Sequence, residues 1–352
     1  MKKKTWALLC LAGILGAYAL ISAVVIAIDP FQVYHPATRY MPPIDNTTQV
    51  YANAGIVRSY DYDSAVVGTS VTENFRPSQL DELFGGRFIK LCTSAGTVYN
   101  HRLLLDLAFE THDLQRVIYG LDVYSLISEL DETGSEVPLY LYDHNPFNDV
   151  QYWLNRSVLG SFLPRCLRAW GKVQDDSIRD SMYCWAGKDD YGLIALYNAT
   201  FSPVEPMRPA DSSAAKALDN LNVHILPIIQ AHPETQFAFF FPPYSAAEWS
   251  SMQARGTLES MLTLRGLCYD MLSRHDNVTV YDFAAREEWV LNLDNYKDTL
   301  HYGQWINDAM AEDIAAGRSV VTSREQLDEA TSQLRAWANE LIAAGRWIYQ
   351  GS

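Results

Sequence analysis

Apolar residues follow two different patterns along this chain. From Trp6 to Ile28 they run without interruption by Asp, Glu, Lys, Arg or His, and the run stops at Asp29-Pro30. About twenty apolar residues, rising roughly 1.5 Å each as a helix, cross a hydrocarbon layer of ~30 Å. Residues 1–29 are therefore predicted to be a short cytoplasmic lysine cluster followed by a transmembrane anchor. Further on, the apolar runs are short and end in turn residues: YDSAVVG (62–68), RFIKLC (87–92), QRVIYGL (115–121), QFAFFF (236–241) and NVTVYDF (277–283). Such runs, β-branched or aromatic with little alternation, predict strands buried on both faces, as in a parallel sheet.

Segments with helical spacing separate these strands, at 78–84, 100–111, 212–231, 250–274 and 304–315. Leu103, Leu104, Leu107 and Ala108 share one face of the second, and Leu218, Leu221, Ile225 and Ile229 share a face of the third. Alternation of this kind predicts an α/β fold: a three-layer, doubly wound, mostly parallel sheet of flavodoxin-like order, with ligands at the carboxyl ends of the strands. Three stretches break the rhythm. Residues 30–54, rich in Pro, Tyr and Thr, read as an extended stalk or strap; 126–211 reads as a partly helical insertion or cap within a domain spanning 55–322; and 323–352 reads as an amphipathic C-terminal helix packed on that domain.

Charge orients the anchor. Lys2, Lys3 and Lys4 precede the apolar run, and basic residues remain on the cytoplasmic side, so everything after Asp29 is expected to be extracytoplasmic. A cleaved signal peptide is the alternative, since Ala17-Tyr18-Ala19 has small residues at cleavage spacing, but the apolar run continues well past it. Across 352 residues, 27 Lys+Arg stand against 42 Asp+Glu, a net charge of -15. Setting the three lysines aside leaves about -18 for the outer part. That balance argues against a nucleic-acid partner, and a neutral glycan or an acyl carrier suits such a surface better than bare polyphosphate. Of the five cysteines, Cys166 and Cys184 flank a polar stretch and are candidates for an extracytoplasmic disulfide, which spacing alone leaves open. No Cys/His cluster has metal-ligand spacing and no phosphate-binding glycine loop is present, so neither a metal nor a cofactor is expected.

Two short motifs carry candidate chemistry. Gly68-Thr69-Ser70 closes the first predicted strand, where a serine hydroxyl stands at the sheet's active edge. Asp298-Thr299-Leu300-His301 precedes the helix at 304–315, and a spacing of three lets the carboxylate fix the imidazole's tautomer. Alone, each motif is equally a helix cap or an accidental quartet.

Taken together, a serine after the first strand and Asp-x-x-His before the last helix resemble the SGNH (GDSL-like) hydrolase superfamily over about residues 60–313. The resemblance implies that Ser70 is the nucleophile, His301 the general base and Asp298 its orienter. It places Gly96, in CTSAGTVYN, at the family's second block and Gly120-Leu121-Asp122 at the third, where the family has Gly-x-Asn. An ionised Asp122 only accepts hydrogen bonds and repels an oxyanion. Either it is protonated or it has another task, with the oxyanion held by the N–H groups of Ser70 and Gly96 or by the amides of Asn74 or Asn100.

Tyr244, in FPPYS after the fourth strand, is a candidate for lining the substrate site, and Tyr124, Tyr152, Trp153 and Trp249 are candidates for stacking on sugar rings. The single anchor and the Gly-Thr-Ser form look most like the envelope branch, which includes the D-alanine-transfer protein of lipoteichoic acid synthesis and the alginate O-acetyltransferases. That likeness implies a serine O-acyltransferase or esterase. Its partners would be a cell-surface polysaccharide or teichoic-type polymer and a multi-pass membrane acyltransferase supplying acyl groups. A non-catalytic envelope assembly or binding protein on the same fold is the alternative, and Asp122 is the residue that favours it.

Overall fold

In a computed structural model, the structure describes residues 3–172, 175–187, 190–192, 195 and 213–343. Chain contacts divide it into two compact units, Met1–Tyr60 with Glu136–Ile178, and Asp61–Ser135 with Arg179–Ser352.

The second unit is the α/β domain. Its strands are β1 (Ser64–Gly68), β2 (Phe88–Cys92), β3 (Arg116–Gly120), β4 (Gln236–Phe241) and β5 (Val278–Asp282). All four neighbouring pairs are parallel, in the order β2-β1-β3-β4-β5. Each predicted apolar run therefore supplies one strand, within a residue or two of its expected ends. The path steps from β1 outward to β2, then back past β1 to β3. Right-handed crossovers in opposite directions place their helices, Pro77–Phe84 and Val98–Thr111, on opposite faces. The reversal opens a crevice at the carboxyl ends of β1 and β3, the usual ligand position in such sheets.

Two basic side chains are buried inside this core, each with a polar partner. Lys90, mid-strand in β2, is buried and donates to the carbonyls of Glu73 and Asp180 at 2.8 and 2.9 Å; burial lowers its pKa. Arg265 is buried against the Phe241 ring and bonds Asp282 at 2.5 Å. The helical stretch expected at 250–274 is two helices, Ala246–Ala254 and Leu258–Leu272, broken where Gly256 takes φ +73°. A side chain is disfavoured in that conformation, so the glycine permits the turn. The C-terminal helix Arg324–Ala343 buries Leu327, Leu334 and Ala338 against these two helices, and Arg335 clasps Glu259 at 2.5 and 2.8 Å.

The other unit departs from expectation. Residues 30–54 do not form an extended stalk. Phe31, Tyr40 and Ala52 are buried, helix Gln49–Ser59 begins within the stretch, and a Cβ on Gly55 would lie 1.7 Å from the Phe31 carbonyl oxygen. The aromatic content that suggested a strap is instead core, with Phe31 stacked on Tyr51 and edge-on to Phe162. Residues 136–178 of the predicted insertion belong to this unit, while 196–211 of it, and 344–352 of the C-terminal segment, lie outside the described residues.

The apolar helix Lys3–Ile28 has 26 residues and is long and apolar enough to cross a membrane. It ends on buried Asp29, whose carboxylate accepts from the Tyr34 and His35 N–H groups at 2.6 and 3.0 Å and from the Tyr152 hydroxyl at 3.0 Å. The expected Cys166–Cys184 disulfide is not formed. Cys166 packs with Ala37, Tyr40 and Ile28, and the Cys184 thiol donates to the Asn74 amide oxygen at 3.5 Å.

His101, on helix Val98–Thr111, is buried with Nδ1 2.6 Å from the Tyr119 hydroxyl. Burial lowers its pKa from 6.5 to about 4, with the Gly68 carbonyl opposing. A folded pKa below the unfolded one means that the unfolded chain binds the extra proton, so stability falls as pH drops from 6.5 towards 4. That difference amounts to about 3 kcal/mol. In urea titrations at the two ends of this window, the wild type is expected to lose that much more than a His101→Gln variant; equal losses would show that His101 does not drive the acid sensitivity.

Candidate active site

The nucleophile block begins where β1 runs out of sheet partners. Gly68 has φ +155°, and a Cβ there would sit 2.6 Å from the Thr72 methyl carbon. Gly120, ending β3, meets the same methyl at 2.8 Å. Thr72 is thus wedged between the ends of two adjacent strands. Its hydroxyl donates to the Thr69 carbonyl at 2.7 Å, closing the 3₁₀ turn Ser70–Thr72. Ser70 opens that turn half-buried, and its backbone N–H has no acceptor among the described residues, as befits the first residue of a helical turn.

The Asp298–His301 block lies in a loop closed on itself. Tyr296 and Tyr302 form a bridge, the Lys297 N–H donates to the His301 carbonyl at 3.0 Å, and the Gly303 N–H to that of Asn295 at 2.8 Å. Asp298 Oδ1 accepts the Leu300 and His301 N–H groups at 2.9 and 2.8 Å, and its Oδ2 lies 2.7 Å from His301 Nδ1. Burial raises the Asp298 pKa, but the His301 ring and these N–H bonds outweigh it and hold the carboxyl below its ordinary 3.8. A lowered carboxylate contributes stability in full above its unfolded pKa and loses it as pH falls through the folded value, so this anchoring persists at neutral pH.

With Nδ1–H assigned to the carboxylate, His301 Nε2 is an acceptor, and Ser70 Oγ stands 2.7 Å from it. Hydroxyl, imidazole and carboxylate thus lie in hydrogen-bond sequence, the arrangement that lets a ring take a serine proton as the oxygen attacks.

Buried acidic side chains hold both blocks. Asp122 accepts the Thr69 hydroxyl at 2.6 Å, the Tyr244 hydroxyl at 2.6 Å and the Tyr124 N–H at 2.9 Å. It ties Thr69, the residue before Ser70, to the loop after β4. Glu248 plays the matching part for the other block, accepting the hydroxyls of Thr299 and Tyr124, with Arg255 at 2.8 Å. Ser245 also clasps Thr299, donating through N–H and hydroxyl to its carbonyl at 3.1 and 2.8 Å.

The remaining sequence candidates fall in several places. The Gly96 N–H is already spent on the Thr93 carbonyl at 2.9 Å, and the glycine is needed for closeness, since a Cβ would meet that same oxygen at 2.8 Å. Asn100 serves as a cap: its amide oxygen accepts the Thr97 and Gly134 N–H groups at 2.9 and 3.0 Å. Asn74 Oδ1 accepts the Trp185 and Ala186 N–H groups at 3.1 and 3.2 Å, which fixes the amide's orientation and leaves buried Nδ2 without a partner among the described residues. Tyr244, Tyr152 and Trp249 are buried, so none presents a face for stacking on a sugar.

Trp185 is a site residue that the sequence did not single out. Its indole N–H donates to the Ser70 carbonyl at 3.2 Å, its ring stands edge-on to the His301 ring at 5.5 Å, and Lys297 Nζ sits 4.0 Å above its centre. A tryptophan in a stretch without helical or strand periodicity was the available signal.

No protein-family model matches this sequence, and no curated protein matches it. Among solved structures, one described as "a putative platelet activating factor from Streptococcus pneumonia" aligns with a TM-score of 0.40 and 12% identity, covering 77% of this chain and 90% of its own. An acetyl xylan esterase, Est2A, from the rumen bacterium Butyrivibrio proteoclasticus aligns with a TM-score of 0.33 and 8% identity, covering 73% of this chain and 63% of its own.

Replacing Asp122 by Asn tests its positioning role. An amide places N–H groups where a carboxylate oxygen now accepts a hydroxyl, and a lost buried acceptor costs about 1–3 kcal/mol. Asp122→Asn is expected to lower the thermal midpoint and any Ser70-dependent activity together. A gain in activity at unchanged stability would instead mark position 122 as an oxyanion contact.

Proposed function

We propose that this chain is a membrane-anchored, extracytoplasmic SGNH-type serine acyltransferase or esterase. The observation that carries the reading is the 2.7 Å approach of Ser70 Oγ to His301 Nε2, with Asp298 on the far side of the same ring. In this reading His301 takes the proton as Ser70 Oγ adds to the acyl carbonyl. The protonated ring then returns the proton to the leaving alcohol, giving an acyl-serine. A second hydroxyl, from an acceptor or from water, repeats the steps in reverse.

The developing oxyanion would be met by the Ser70 N–H and by Asn74 Nδ2, donors that have no acceptor among the described residues. Asp122, the residue that favoured a non-catalytic protein, is accounted for by its bonds to Thr69, Tyr244 and Tyr124. The acceptor we propose is a hydroxyl of a cell-surface polysaccharide or teichoic-type polymer, with a multi-pass membrane acyltransferase as acyl source. Support for the envelope setting comes from the apolar helix at the N-terminus and the lysines before it.

The test uses full-length protein, an aryl acetate and short glycan acceptors. Ser70→Ala and His301→Ala are expected to reduce aryl-alcohol release by about 10³-fold or more, and glycan acceptors are expected to acquire the acetyl group. Release that is independent of Ser70 would overturn the catalytic reading. Release that depends on Ser70 but never reaches an acceptor would assign an esterase.

A further inference from the structure

Basic residues are scarce in this acidic chain, yet one stretch concentrates them. Between Val150 and Lys172 there are four, Arg156, Arg165, Arg168 and Lys172, and no Asp or Glu. Arg165 is engaged with Asp45 at 2.6 Å; the other three are exposed. Among them stand exposed apolar side chains, with Leu154 at 44%, Leu167 at 52% and Trp170 at 52% of full exposure. Singly, such side chains are ordinary on a protein surface. Here they are interleaved with cations and held in place: Trp170 bridges and stacks on Tyr40, and the Gly171 N–H bonds the Arg39 carbonyl at 2.8 Å.

The position of this stretch identifies its occupant. Helices Val150–Trp153 and Leu163–Arg168 pack on the apolar helix Lys3–Ile28, whose buried residues are Ser22 and Val25. At ~1.5 Å per residue the apolar helix is about 39 Å long, about 9 Å more than the hydrocarbon layer, and Ser22 lies about 9 Å before its end. A helix crossing the bilayer from Lys3 and Lys4 therefore brings the residues packed on its last two turns to the headgroup layer. Basic residues mixed with Trp and Leu at that level match an interfacial segment on anionic lipid.

We propose that residues 153–172 form a membrane-surface segment, with Leu154, Leu167 and Trp170 in the interface and Arg156, Arg168 and Lys172 on anionic phospholipid headgroups. The proposal rests on the reading that Lys3–Ile28 spans the bilayer. Nitroxide labels on full-length protein in phosphatidylcholine–phosphatidylglycerol nanodiscs test both. They are placed one at a time at Leu15→Cys and Leu167→Cys, in a Cys10→Ser, Cys184→Ser background.

Power saturation with oxygen and a water-soluble nickel chelate is expected to place the label at 15 in the hydrocarbon and that at 167 at the phosphate level. Charge reversal, Arg156→Glu with Arg168→Glu and Lys172→Glu, is expected to move the label at 167 into water while label 15 stays deep and aryl-acetate turnover is unchanged. A deep label at 15 with a water-exposed label at 167 in the parent protein would overturn the surface segment and leave the anchor standing; water exposure at both would remove the anchor, and the proposal with it. An interfacial label at 167 that ignores charge reversal would overturn the lipid-headgroup role of the cations.

Discussion

A hydroxyl on Ser70 meets an imidazole 231 residues further along the chain, at 2.7 Å. Neither side chain has a local reason to be there. The strand order brings the two segments to one edge of the sheet, and the small residues Gly68 and Gly120 let Thr72 close the turn that presents the serine. A methyl group added at either glycine would occupy space already taken by Thr72. Close packing at the ends of β1 and β3 is thus the condition on which the site's geometry depends.

Two buried carboxylates turn that packing into registration. Asp122 holds Thr69, the residue before Ser70, and Glu248 holds Thr299 inside the Asp-x-x-His loop. Tyr124 links them, since its N–H bonds Asp122 and its hydroxyl bonds Glu248. A buried anion is costly unless donors surround it, and each here collects three. The result is a network in which the nucleophile turn and the base loop share supports, so disturbing one carboxylate is expected to be felt at both.

Much of this was legible from pattern. All five strands follow from short apolar runs, because a strand buried on both faces leaves that signature whatever its partners. Ser70, Asp298 and His301 were legible as short motifs, and the approach of serine to histidine was expected only through the family resemblance. The roles of Asp122, Glu248 and Trp185 were hidden because each depends on a partner more than fifty residues away. Asp122 read as a misfit because the resembled family has asparagine there, and its hydroxyl donors, Thr69 and Tyr244, are far away in sequence. The stretch 30–54 misled for a related reason. Proline and tyrosine suggest an exposed strap, and only the contacts of Phe31 with Tyr51 and Phe162 reveal a core.

The account stands or falls on Ser70 as a nucleophile activated by His301. A fluorophosphonate adds to a serine oxygen only when a base removes its proton, and the adduct can be located by mass spectrometry of the digested protein. The expected result is one adduct, on Ser70, formed by the wild type and lost in a folded His301→Ala variant. Folded wild-type protein that remains unlabelled at Ser70, or carries the adduct on another serine, would contradict it.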